Sequence, residues 1–211
     1  MNDEAYKIIL QLLKDTTDEK AIVTMVNSME HCINLISNNH AVFFELVSTV
    51  TRINFNGNIE IAKALLQFSV SLASINSNFN HLIFTMLFRE LMYLAPFEHP
   101  TEEDHVIGNY HSITNDHLEE PIRLQLIDMI HNTIQSIIKV SPLCDGDCLR
   151  CCKMYYPYIT KETHLHKHAV SNILRMLSYA PVLRERALSM IIERVIQIDV
   201  FFGYFHSLFH R

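Results

Sequence analysis

The stretch from His168 to Val200, HAVSNILRMLSYAPVLRERALSMIIERVIQIDV, constrains this chain more than any other. Apolar residues recur at helical spacing at Val170, Ile173, Leu174 and Leu177. Pro181 and Val182 break the phase, and Leu188, Ile191, Ile192, Val195, Ile196 and Ile198 resume it. The pattern predicts two antiparallel helices joined by a tight turn. Each carries an apolar stripe that its partner covers only in part, so the pair needs a further pair stacked against it. That requirement is the logic of a helical-repeat solenoid.

The same period runs through the rest of the chain and predicts helices over 3–14, 18–37, 40–54, 58–76, 79–95, 121–140, 147–156, 163–180 and 182–199. Only 4 Gly and 6 Pro in 211 residues, against 49% hydrophobic residues, favour long regular elements with few turns. Pro96, Pro142 and Pro181 fall just past predicted helix ends, at separations near the period of HEAT pairs. The expected fold is all-α, a HEAT-like helical-repeat solenoid of antiparallel helix pairs. Repeats are expected over 1–97 and 121–200, an acidic, mobile loop over 98–120, and an aromatic tail over 201–211.

Charge excludes some partners. The formal net charge is −6 and the pI near 6.1, whereas a protein that neutralises phosphates presents a basic stripe. Arg184, Arg186 and Arg194, the tightest basic group, are interleaved with Glu185 and Glu193. No direct nucleic-acid contact is expected, and a protein partner fits better. The most apolar run, Phe79 to Phe97, is interrupted by Arg89 and Glu90, and MNDEAYK lacks the basic and apolar regions of a signal peptide. An intracellular protein without a membrane span is the expectation.

Chemistry finds little foothold. There is no glycine-rich phosphate loop, no G-x-S-x-G elbow and no H-E-x-x-H. Cys151 and His164 can be paired on paper, but no third residue is indicated to orient them. No catalytic residue, cofactor or enzymatic activity is assigned. Cys144, Cys148, Cys151 and Cys152, followed by His164, His166 and His168, suggest zinc, yet three of the cysteines fall on a predicted helix and the histidines alternate. Reduced, partly buried thiols are the expectation there, and no metal ligand is assigned. Cys32, inside the 18–37 helix, reads as core.

Two segments could serve partners. On the 58–76 helix, Ile61, Ala62, Leu65, Phe68, Leu72 and Ile75 mark the buried stripe and leave Glu60, Lys63, Gln67, Ser71 and Ser74 opposite. Ser71 and Ser74 are expected to be exposed, as ordinary surface serines or as part of a binding face. The 98–120 segment holds seven acidic residues, four histidines and no Lys or Arg. It reads as a functional or disordered segment, a tolerated insertion or a pH-sensitive loop.

HNTIQSIIKVSP (131–142), MYYPYITKETHLHKH (154–168) and the 168–200 unit together resemble the RNA polymerase I-specific transcription initiation factor family, the TIF-IA type. The similarity lies in the HNTIQSII helix, the Tyr-Pro-Tyr step, Asn172-Ile173-Leu174-Arg175, Tyr179 to Arg184, and Ile191-Ile192-Glu193 leading to Ile198-Asp199-Val200. The resemblance ends near Val200 and covers an amino-terminal portion of the family pattern. It implies a nuclear, nucleolar factor that binds RNA polymerase I and bridges it to the promoter-bound core initiation factor for ribosomal RNA synthesis. It further implies docking through a serine-rich patch, for which Ser71 and Ser74 are candidates, and a phosphorylatable acidic loop, for which Ser112 and Thr114 are. A helical-repeat adaptor in transport or trafficking, and a small zinc-binding protein, are the alternative readings.

Overall fold

The computed structural model describes residues 3–96 and 118–209, and among these residues the regular structure is helical throughout, with no strand. Ten α-helices follow in order: α1 (Asp3–Asp15), α2 (Glu19–His31), α3 (Ile33–Asn38), α4 (His40–Val50), α5 (Ile59–Ile75), α6 (Asn80–Tyr93), α7 (Glu120–Val140), α8 (Asp145–Tyr155), α9 (Thr163–Tyr179) and α10 (Arg184–Phe209).

Their ends follow from local chemistry. Asp18 caps α2 by accepting from the Lys20 N–H, and Asn58 caps α5 by accepting from the Glu60 and Ile61 N–H groups. Asn56 and Gly57 before it take φ of 50° and 76°, a left-handed step that glycine tolerates best and asparagine next. The helix expected over 18–37 divides at Cys32, whose N–H bonds the Met29 carbonyl three residues back. Thr24 and Ser28 both return their hydroxyls to carbonyls four residues earlier, and His31, Cys32 and Ile33 are all weak helix formers. The break turns Cys32 to solvent, which corrects its expected place in the core, while Met29 and Ile36 on either side are buried.

One joint recurs three times. α5, α7 and α9 are capped by Asn76, Ser141 and Ala180, each out of the helical conformation and each donating its N–H to the carbonyl four residues back. A single 3₁₀ turn follows, at Ser77–Phe79, Pro142–Cys144 and Pro181–Leu183, and α6, α8 or α10 starts directly after it. The last residue of each turn, Phe79, Cys144 or Leu183, is buried to 1% exposure or less. Proline opens two of the turns, where its fixed φ suits the first position and its missing N–H costs nothing.

Packing joins these hairpins side by side. α5 packs against both α2 and α7, α6 against α8, α9 against α6 and α7, and α10 against α8 and α9. Contact with two neighbours explains why α5 buries more than the narrow stripe expected of it. Ala64, Leu66, Ser69 and Ala73 are buried as well, whereas Ile75 at its end is 45% exposed. α10 continues to Phe209, so residues 201–209 extend the last helix and do not form a separate tail.

An ion pair pins the α4–α5 connection. Glu90 is 1% exposed and accepts from the neighbouring Arg89 guanidinium at 2.8 Å, while Arg89 also donates to the Thr51 and Ile53 carbonyls and the Phe55 N–H bonds Glu90. Burial raises the Glu90 carboxyl above its ordinary range even against the pull of Arg89. Removing one partner of such a pair is more damaging than replacing both. Glu90→Ala should therefore lower stability by about 3 kcal/mol in urea unfolding, and Glu90→Gln, which keeps the Phe55 bond, by clearly less.

Candidate interaction surface

The outward edge of α5 is a polar row at helical spacing. Glu60, Lys63, Gln67 and Ser74 are exposed, and Glu60 and Lys63 pair at 2.7 Å. Ser71 departs from the expectation. It is half-buried, and its hydroxyl donates to Glu30 on α2 at 2.8 Å, because the α2–α5 contact reaches further round the helix than a single-neighbour wheel predicts. Ser74 is exposed, with its hydroxyl turned back to the Ser71 carbonyl at 2.7 Å. The edge thus offers one accessible hydroxyl beside a carboxylate. Ser112 and Thr114, with the acidic segment as far as His117, lie outside the described residues.

The cysteines belong to the core. Cys144, Cys148, Cys151 and Cys152 are all at most 2% exposed, on the last residue of a 3₁₀ turn and the inner face of α8. Burial, aided by Asp145, pushes the Cys144 thiol up to about 11; burial, aided by Cys151, pushes Cys152 up to about 12; burial also raises Cys148 well above the ordinary thiol range. Cys151 lies 3.5 Å from both His81 and Thr85 on α6, not beside His164, and burial raises its thiol too. A protonated, enclosed thiol is a poor nucleophile and a poor ligand. Among the described residues no group of three or more His, Cys, Asp or Glu is placed to hold a metal ion. Under native conditions a thiol reagent should label Cys32 rapidly and the other four only as fast as the protein opens. Rapid labelling of more than one thiol would contradict this packing.

The histidines are divided among different tasks. His164 is buried beside Glu162, His166 packs against the Tyr156 ring, and His168 donates to the Leu91 carbonyl of α6 at 2.7 Å. Sequence reasoning missed the fourth, His131 on α7, which is 2% exposed. Its Nδ1 accepts from the Tyr179 hydroxyl at 2.8 Å, and its Nε2 donates to the Asn172 Oδ1 at 3.0 Å. The Asn172 amide in turn donates to the His168 carbonyl at 3.0 Å. At the rim of the same seam Arg175 pairs with Asp128 at 2.7 Å. A polar chain therefore stitches α7 to α9, and through His168 to α6. The signal was present in the sequence, since His131 sits in phase with the apolar Ile127, Ile130 and Ile134 of α7, where a surface histidine has no place.

A family model described as RNA polymerase I specific transcription initiation factor RRN3 matches residues 1–205. The chain belongs to this family. No curated protein and no solved structure matches it. The RRN3 match takes in the whole amino-terminal half and runs beyond Val200, where the resemblance read from the sequence stops. Membership assigns the chain to a family of initiation factors for RNA polymerase I, whose action is nuclear. Among the residues of the motifs that carry the resemblance, His131, Asn172, Arg175 and Tyr179 make polar contacts between α7 and α9 or at their seam.

Burial lowers the His131 imidazole to about 4, against the opposing hydrogen bond that it donates to Asn172. With its folded value below the ordinary 6.5, the unfolded chain binds the proton first, so the stability His131 contributes is present above pH 6.5 and is lost as pH falls towards 4. Across that window the loss should approach about 3 kcal/mol. Urea unfolding at a series of pH values should show this decline, and His131→Gln should flatten it. An unchanged slope in the variant would remove His131 from the account.

Proposed function

We propose that this chain acts as an RNA polymerase I-specific initiation factor, binding the polymerase and bridging it to the promoter-bound core factor at ribosomal RNA genes in the nucleolus. The observation that carries the reading is the RRN3 match over residues 1–205. The role is one of docking and needs no chemistry of its own. Two groups of HEAT-like pairs, 1–97 and 121–200, supply a long scaffold, and the recurring joint at Asn76, Ser141 and Ala180 supports reading them as repeats. The acidic segment of residues 98–120 joins the groups and carries Ser112 and Thr114 as phosphorylation sites.

The polymerase-facing surface in this proposal is the α5 edge with Ser71 and Ser74. Their different surroundings separate two effects. Ser74→Asp adds charge at an exposed position and should weaken polymerase binding by electrostatic mismatch alone. Ser71→Asp would face Glu30 directly and should also loosen α2 from α5, and Ser71→Ala should cost only about 1 kcal/mol of stability through its lost hydrogen bond. The test is a bridging assay on immobilised promoter DNA carrying the core factor. Polymerase I should be retained only when the chain is added, and Ser74→Asp should reduce retention at unchanged thermal stability. Retention without the chain, or full retention by Ser74→Asp, would overturn the bridging role or the serine face respectively.

A further inference from the structure

The connector between α8 and α9, together with one flank of α10, forms an open groove of about 550 Å³ away from the α5 edge. Tyr158 and Ile159 make one wall, and Arg194, Ile196, Gln197 and Val200 face them. The walls are held in place: Tyr156 and Pro157 are buried beneath the connector, and the Lys161 N–H closes a turn on the Tyr158 carbonyl at 2.9 Å. Tyr158, Ile196 and Val200 nevertheless remain 66%, 56% and 64% exposed, a cluster of large apolar side chains without cover on this face.

Arg194 supplies the charge. Its guanidinium lies over the Tyr156 ring at 5.8 Å and donates to the Gln197 amide oxygen at 2.9 Å. Both partners are neutral, although the sequence interleaves this arginine with Glu193, and among the described residues no carboxylate lines the groove. A guanidinium held by a ring and one amide keeps donors free for a carboxylate, and its planar fork prefers one. A single cation is too little for a nucleic-acid backbone, which is met by many. A groove open along a helix suits the side chains of a peptide laid against it.

We propose that this groove docks an acidic amphipathic segment of a protein partner, whose apolar side chains lie between Tyr158 and Val200 while a carboxylate pairs with Arg194. The surface is separate from the polymerase reading and stands or falls without it. The probe is a labelled amphipathic helical peptide of about four turns with leucines on one face and glutamates beside them, followed by fluorescence anisotropy with the full chain. A second peptide carries lysine in place of glutamate.

The glutamate peptide should bind and the lysine peptide should not. Arg194→Glu should weaken the first by about tenfold or more and reverse the preference. Val200→Asp, at an exposed position, should weaken binding similarly with an unchanged circular dichroism spectrum, which separates lost docking from lost folding. Equal binding of both peptides, indifference to both substitutions, or a dimer of this chain dispersed by Val200→Asp would overturn the proposal, the last by giving the groove to a second copy.

Discussion

A helical hairpin cannot bury its own apolar surface, and the architecture of this chain follows from that deficit. Each hairpin finds cover on the next. α5 shows the outcome most clearly, since α2 lies on one side and α7 on the other, and positions as small as Ala64, Ser69 and Ala73 are taken into the interior. The joint that recurs between these helices is a non-helical cap followed by one 3₁₀ turn, which ends on a buried anchor: Phe79, Cys144 or Leu183.

Within this apolar stack, polar contacts decide register. An apolar stripe slides along its neighbour at little cost, but the Tyr179–His131–Asn172 chain has partners only in one alignment of α7 and α9. The Arg89–Glu90 pair does the same for the α4–α5 connection, where it ties three backbone groups to α6.

Most helices were legible in the sequence, because a 3.6-residue period survives even where identities are few. The edges of α1, α5, α7, α8 and α9 fall within a few residues of their expected places. What the period could not reveal was how many neighbours a helix has. A wheel with one buried side places Ser71 in solvent, and a second neighbour brings it against Glu30. The period places Cys32 in the core because it runs on through the break, with Met29 and Ile36 both buried, while the break itself leaves Cys32 exposed between them. The cysteines and histidines are close in sequence but diverge in space, since α8 turns Cys151 towards His81 while α9 sends His168 to Leu91.

A helical scaffold with four of its five thiols buried and a polar edge on α5 turned outward is suited to holding other proteins. The central claim is that the partner is RNA polymerase I specifically. The most direct measurement is co-elution of the purified chain with purified RNA polymerase I on size exclusion, run in parallel with RNA polymerase II. The account predicts a stoichiometric complex with the first and none with the second. Failure to co-elute with polymerase I, or equal co-elution with both, would contradict it.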